Sequence, residues 1–600
     1  MTATKSTLEK YQAVTSRAEL ADLLGIRHSA LTYLLYVKED DKKYSTFLIP
    51  KKNGGNREIH APIPELKLLQ KRVAEQLELC IIDLEKTTGK HNKSSHGFVQ
   101  GKSILTNASV HRNKRYVFNL DLKDFFPTIS GKRIRGLLIN DRTLQFPPVV
   151  ATTLAHIACR QGVLPQGSPC SPVISNLIAR ILDVHLSRLA KDYGCRYTRY
   201  ADDITFSTNK RVFPIELATL GEASPHKWQI GSKLAELIAR AGFSINETKT
   251  RMQYKTSRQT VTGIVVNDRI NVPSEYRKLV RAYVFALINH GNFEIRNASK
   301  NEDGKVVEKI EQGTTAQLNG MLGFIHAVDN VVRTDQRLHP YNYPNRSVDS
   351  KKTTGNLTIY RRFLLYTRFY ANELPLLVCE GKTDNVYISA AIHQLQKKFP
   401  KLTKQDPATG KNILAIRFIK YARQHRKKRH IYTPNFSTVS ILGGESGGTG
   451  NLSKLLKSYW AEYAKFKSKP GKNPVLFIID NDSGGKAFYK TVTNTLKITI
   501  DTSQPFTRLF ANVYVIPISA PGKAESAIED LFDQSDIKKG LDGRSFDFSK
   551  DADPTKTYGK EAFAYRFVAQ KSSQLNWGGF TPLLQAVCDS LTDYSNVIKT

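Results

Sequence analysis

Cysteine is scarce in this chain, and acidic residues are heavily outnumbered. The six cysteines among 600 residues, Cys80, Cys159, Cys170, Cys195, Cys379 and Cys588, contain no C-x-x-C pair, which excludes a zinc knuckle and argues against a disulfide framework. They read as reduced and mostly structural. No run of about 18 apolar residues is present, so nothing is long enough to span a bilayer. The opening MTATKSTLEKYQAV has no apolar signal core, and cytoplasmic residence with no membrane partner is the expectation. Only 54 Asp and Glu stand against 89 Lys and Arg, a formal net charge of +35 whose self-repulsion a polyanion would offset. Nucleic acid is the first candidate partner.

Six hundred residues exceed what one hydrophobic core usually supports, so two or more domains are expected. In YSTFLIPKKNGGNREIHAP a Gly54-Gly55 turn joins two β-prone runs, as in a hairpin. A helical stretch follows, and from Arg115 to Val266 short strands such as YVFNLDL and YTRYADDITFS alternate with helices in an α+β pattern. The chain returns to helical character after Val272. Tyr341 to Gly355, rich in Pro, Asn, Ser and Lys, reads as a connection, and the boundary is placed near residue 372. Beyond it, LPLLVCEG and NPVLFIIDND are apolar runs ending in acids, the pattern of buried parallel strands with functional groups at their C-terminal ends.

Asp202 and Asp203 lie side by side at the edge of a strand-like run, where mutual repulsion and desolvation disfavour both unless cations sit between them. Asp121 ends another apolar strand in FNLDLKDFFPTIS. Three carboxylates on two strands can hold two Mg²⁺ ions about 3.5–4 Å apart for phosphoryl transfer. A lone DD pair is more often a solvated hairpin; its neighbours change that reading.

YADD, preceded by NLDLKDFFPTI and GVLPQGSPCSPVISNLI, resembles the palm motifs of reverse transcriptases in identity and order. The resemblance implies Asp121, Asp202 and Asp203 as ligands of two Mg²⁺ ions, and Phe126 as the steric gate that selects dNTPs. It implies that Gln166, Gly167 and Arg57 bind the incoming nucleotide, with Lys51 or Lys52 near the triphosphate. Lys249 in GFSINETKTR matches the lysine thought to protonate the leaving pyrophosphate. Read alone, Arg57 or Lys249 would be ordinary surface charges. NASVH, containing Asn107 and His111, has the N-A-x-x-H pattern, and VTG at Val261 to Gly263 follows; together they resemble retron reverse transcriptases over about residues 15 to 335. That family implies a partner noncoding RNA, part of which is copied into multicopy single-stranded DNA from the 2′-hydroxyl of a guanosine. It also implies a thumb after Val272 that reads an RNA stem. Arg277, Lys278, Arg281 and Tyr283 on a helix, with Asn107 and His111, are the RNA-binding candidates, and a solvated helix face is the competing reading for the thumb residues.

In the C-terminal half, LLVCEGKTD puts Glu380 at a strand end with Asp384 on the following helix, and VLFIIDNDSGGK ends a second strand in Asp480 and Asp482. The arrangement resembles the Toprim domain of topoisomerases, primases and OLD nucleases. It implies one or two Mg²⁺ ions held by Glu380, Asp480 and Asp482, with Glu380 also as general acid or base. ESAIEDLFD adds Glu525, Glu529 and Asp530 as second-metal candidates, although acids at a helix start are common. No phosphate-loop lysine follows the glycines of ILGGESGGTGN, and the basic run Tyr421 to His430 is either a substrate contact or a solvated segment.

The expected architecture is therefore an α+β right-hand polymerase followed by an α/β Toprim domain with a mainly parallel sheet. Fingers and palm span 1–271, thumb 272–335, linker 336–372, Toprim 373–535, and an extension without a readable motif 536–600, either a cap or a self-association surface. The oligomeric state is not set by the sequence. The resemblance implies an RNA-directed DNA polymerase fused to a nuclease effector acting on nucleic acid, as in retrons that defend against phage. A processing nuclease and an inactive nucleic-acid-binding module are the alternatives for the C-terminal half.

Overall fold

The computed structural model describes residues 5–51, 55–89, 91–221, 228–300, 306–334, 355–421, 438–443, 448–549, 553 and 555–598. The first hairpin forms as its turn signal requires: β1 (Tyr44–Pro50) pairs antiparallel with β2 (Asn56–Pro62), setting Ile49 opposite Arg57. Gly55 adopts φ +74° in the turn, a region that favours glycine. The helix α1 (Pro64–Thr88) starts with proline in its first turn and stops at Gly89 in left-handed conformation. Leu66, Leu69, Val73, Leu77, Cys80 and Leu84 recur at intervals of three and four, so one stripe of the helix enters the core.

Past α2 (Ile104–Val110), a sheet is built around β3 (Tyr116–Lys123). The helix α3 (Ser171–Asp192) leads into β4 (Arg196–Tyr200) and β5 (Asp203–Thr208), and β6 (Ser244–Ile245) and β7 (Arg251–Tyr254) follow. The order is β4-β5-β3, with β6 and β7 sharing the other edge of β3, and every pairing is antiparallel. Phe118, Leu120 and Leu122 of β3 point to one face with Ile204 and Phe206 of β5, where they join α1 and α3 in a first core. A short hairpin, β8 (Thr260–Val261) and β9 (Ile264–Val265), turns at Thr262 and Gly263, both with positive φ as a type I′ turn demands.

Two helices, α4 (Ser274–His290) and α5 (Thr315–Thr334), occupy the region expected as thumb. Of the expected linker, residues 336–354 lie outside the described residues, but its second half is no connection. Gly355–Leu365 forms helix α6, continued by a π-helical turn to Tyr370, with Leu357, Tyr360, Phe363, Leu364, Phe369 and Tyr370 buried. These apolar side chains recur at helical spacing, and that amphipathic pattern outweighs the polar composition just before it.

The second sheet comprises β10 (Leu376–Cys379), β11 (Arg417–Phe418), β12 (Val475–Ile479), β13 (Thr507–Phe510) and β14 (Val513–Pro517). Its order is β11-β10-β12-β14-β13, parallel except for β13. The apolar runs are explained by burial of both faces. Leu376, Val378, Val475, Phe477, Val513 and Val515 join a core with α4, α5 and α6, so this core runs from the thumb region into the second sheet without a break. Leu377, Cys379, Leu476, Ile478, Tyr514 and Ile516 face the opposite side, covered by α7 (Lys382–Gln394) and by residues beyond 536. There Phe532, Phe563, Trp577 and Phe580 form an aromatic cluster, and the helix α9 (Thr581–Val597) packs on β14. The extension is a cap on the sheet.

Candidate active site

The antiparallel register of β3 and β5 sets Asp121 directly opposite Asp203. Leu122 N donates to Asp202 O at 3.0 Å, which pins the aspartate pair against the end of β3. Between β4 and β5 the chain reverses through Ala201, a non-glycine residue at φ +55°. Such a conformation is strained and needs support from its surroundings. Gly97 lies beneath, where a Cβ would stand 2.5 Å from Ala201 N.

The three carboxylates share one field. Asp121 is buried and accepts from Lys249 Nζ at 2.9 Å, while Asn246 N donates to its carbonyl at 2.8 Å. Burial and then Asp121 raise the pKa of Asp202. Asp203 reaches solvent, yet enough protein surrounds it that burial, followed by Asp202 and Asp121, pushes it up to about 6. Lys249 and Arg57 oppose the shift at Asp202, so both cations are close enough to act on this end of the sheet. Among the described residues no three His, Cys, Asp or Glu side chains are grouped at metal-ligand spacing. The donors are hard oxygens of three carboxylates only partly offset by the Lys249 pairing, which suits Mg²⁺.

Around them, the ring of Phe126 is half-buried between Phe98 and Phe125, with ring centroids at 6.3 and 5.4 Å. Gln166 O accepts from His60 N at 2.8 Å, joining the first hairpin to the LPQGSP loop. Gly167, at φ +116°, would bring a Cβ within 2.7 Å of His60 O, so only glycine fits this close approach. Arg57 and Lys51 are exposed on the hairpin; Lys52 lies outside the described residues.

One residue that motif reading did not single out supports this end of the sheet. Arg199 is fully buried and clamps Asp183 of α3 with Nε and one terminal nitrogen, both at 2.8 Å. Its other terminal nitrogen donates to Ala201 O at 2.9 Å, holding the left-handed turn in place. The partner acid lies 16 residues upstream on a helix, so no local pattern announced the pair.

The RNA-contact expectation for Asn107 and His111 is corrected by burial. His111 bonds Ser207 Oγ and Thr198 Oγ1 with its two ring nitrogens, each at 2.7 Å, and Thr198 Oγ1 donates to Asn107 Oδ1 at 2.5 Å. Burial above all pushes the imidazole down to about 3, so it is neutral and fastens α2 to β4 and β5. On α4, Lys278 and Arg281 are exposed and Arg277 is half-buried on Asn271. Tyr283 is buried against Phe293 and faces away from solvent.

The second set of carboxylates gathers where parallel strands end. Glu380 follows β10 and Asp480 follows the adjacent β12, and Glu380 Oε1 accepts from Asp480 N at 3.1 Å. Asp480 Oδ1 accepts from Ile528 N at 3.0 Å. Asp482 caps the helix α8 (Ser483–Leu496) through Gly485 N at 2.8 Å, and Asp384 caps α7 through Gly381 N at 2.8 Å. Gly485 is indispensable, since a Cβ there would overlap Asp480 O. Burial, with the neighbouring acids, pushes Glu380 up to about 7 and Asp480 up to about 8.

Glu529 reaches this cluster, whereas Glu525 and Asp530 do not. Glu525 pairs with Lys486 at the surface, and Asp530 is held by Lys523 and by Ala527 N. Glu529 is buried; its Oε2 pairs with Lys560 Nζ at 2.9 Å, while Oε1 has no hydrogen-bond partner. That orphaned oxygen, in the field of Asp384 and Asp480, is a hard donor of the kind a divalent cation takes. Lys560 comes from the extension, where no motif marked it. Residues 422–430 and 444–447 of the basic run and glycine string lie outside the described residues, but Gly448 N donates to Glu380 O at 2.8 Å.

Comparison with known proteins accords with the first site. The family model described as reverse transcriptase (RNA-dependent DNA polymerase) matches residues 49–266. The retron Mx162 reverse transcriptase of Myxococcus xanthus is 35% identical over 337 residues, covering 52% of this chain and 64% of the relative. The retron Mx65 reverse transcriptase of the same organism is 36% identical over 44% of this chain and 61% of its own length. The chain thus spans somewhat less than two thirds of these two relatives. The retron Ec86 reverse transcriptase of Escherichia coli is 30% identical over 274 residues, 45% of this chain and 78% of the relative. With the matched residues framing the Asp121, Asp202 and Asp203 end of the sheet, the chain belongs to the retron reverse transcriptase family.

Proposed function

We propose that the first half of the chain is an RNA-directed DNA polymerase that copies a partner noncoding RNA into single-stranded DNA. The observation that carries this reading is the β3–β5 register, which sets Asp121 opposite Asp203 with Asp202 pinned beside them. Asp121, Asp202 and Asp203 would hold Mg²⁺, which when bound supplies positive charge for the attacking hydroxyl and the triphosphate. Arg57 and Lys51 of the hairpin meet the triphosphate, and the Gln166–His60 bond keeps the hairpin in register with the nucleotide site. Phe126 blocks a 2′-hydroxyl. Lys249, which pairs with Asp121, would donate a proton to departing pyrophosphate. Primer extension on an RNA template with dNTPs tests this: Asp203→Asn should abolish incorporation, and undiminished synthesis would contradict it.

For the second half, the proposal is a Toprim-type Mg²⁺-dependent nuclease acting as effector in antiphage defence. Its support is the meeting of Glu380, Asp480, Asp482 and Glu529 at parallel strand ends, with one Glu529 oxygen unpartnered. Glu380 and Asp480, both shifted towards neutrality by burial, have the charge deficit that a divalent cation corrects. Lys560 balances Glu529 from the other side. Glu380→Ala should remove growth arrest while DNA synthesis persists; arrest that survives the change would refute the effector role, and untrimmed DNA would indicate a processing nuclease.

A further inference from the structure

At the end of the first sheet away from its carboxylates lies a cavity of about 730 Å³. Its walls come from the end of α3, the turn at Gly194, the start of β4, the end of β5 and the segment around Lys93. Five cations line it, Lys93, Lys114, Lys191, Arg196 and Lys210, and no Asp or Glu does. Asp203 begins β5 and Thr208 ends it, so at about 3.3 Å per residue the cavity is roughly 16 Å along the strand from the aspartates. It is separate from the nucleotide site.

Its polar walls are already committed inward. Ser94 Oγ and Ser187 Oγ bond each other at 2.8 Å, Thr208 Oγ1 donates to Gly194 O at 3.0 Å, and Ser207 and Thr198 hold His111. The cations remain for a ligand. Lys114 is half-buried and loses proton affinity through burial and then through Arg196 and Arg112, so like charges crowd this wall. Gly194, at φ +66°, admits the Lys210 side chain so closely that a Cβ would stand 2.8 Å from its Cε. The N-A-x-x-H network, which does not itself meet RNA, stiffens the wall behind.

We propose that this cavity binds backbone phosphates of an RNA strand outside the primer–template cleft. The inference rests on the polymerase reading for the identity of that RNA. Five cations from separate segments exceed what one free nucleotide needs. Tyr197, the aromatic residue among the lining, is buried with its hydroxyl on Asp183, so it offers no face on which a base could stack. Charge without base recognition is the chemistry of backbone binding.

The test uses the full chain and a fluorescein-labelled RNA hairpin, followed by anisotropy across a salt series, with ATP as the free-nucleotide probe. Substituting Lys114→Gln, Arg196→Gln and Lys210→Gln together should weaken hairpin binding at least tenfold at 0.15 M salt. The slope of log K against log salt should fall by about 2. The exposed single change Lys210→Glu should weaken binding in the same direction. Extension of oligo(dT) on poly(rA) should be unchanged in both variants; failure of that extension in the unsubstituted protein would overturn the polymerase reading while leaving the binding result readable. An unaltered salt slope would overturn the proposal. Loss of ATP binding with hairpin binding intact would reassign the cavity to a free nucleotide.

Discussion

Arg199 offers a way to separate stability from positioning at the polymerase site. Its guanidinium makes two bonds to Asp183 at 2.8 Å and one to Ala201 O at 2.9 Å, and it is fully buried. Arg199→Met would strand the Asp183 carboxylate, which would keep only Tyr197 and Asn92 as donors. Removing one partner of a buried ion pair costs about 3–5 kcal/mol. Amide exchange in β4 and β5, if it proceeds through local opening, should therefore quicken by about a hundredfold to several thousandfold. Adding Asp183→Asn discharges the stranded acid while still accepting from Tyr197, and protection should largely return. Polymerisation should not, because the Ala201 carbonyl stays unheld and the aspartate pair loses its fixed turn. Hydrogen exchange and dNTP incorporation measured on the same three proteins decide the matter. Activity that recovers in step with protection would refute a positioning role and leave Arg199 as packing alone.

Two further outcomes follow from the same region. His111 has a folded pKa of about 3, below the unfolded value of about 6.5, so its contribution is complete above 6.5 and is lost as pH falls towards 3. Between pH 7 and pH 5 this amounts to about 2 kcal/mol, and His111→Gln should flatten the pH dependence of the unfolding free energy from urea titrations by that amount, whereas an unchanged profile would contradict neutral burial. Gly167→Ala should cost about 1–3 kcal/mol through its backbone conformation and displace the His60 strand. Nucleotide KM should rise and kcat fall, and the unfolding midpoint should drop; normal kinetics would refute the tight hairpin contact.

Local strings made much of this architecture readable. The hairpin, the α+β sheet and the apolar parallel strands each announce themselves through turn residues or periodicity, and Asp121, Asp202 and Asp203 come together because strand ends were their expected place. What was hidden depends on long-range packing. Arg199 and Lys560 find their partners through the tertiary fold, on elements that no spacing rule connects. The polar stretch before residue 355 suggested a linker, yet the helix behind it joins the thumb region and second sheet in one core. The N-A-x-x-H motif marks Asn107 and His111 as residues that matter without saying whether they face solvent, and both are buried. Only geometry separated Glu529 from Glu525 and Asp530 within one acidic string.

The most direct test of the central claim is the nucleic acid that accompanies the protein when it is expressed from its native locus. Purification of the unsubstituted chain should yield short single-stranded DNA joined to RNA, and purification of Asp203→Ala should yield RNA without that DNA. DNA of the same size in both preparations, or none in either with RNA and dNTPs supplied, would contradict the account.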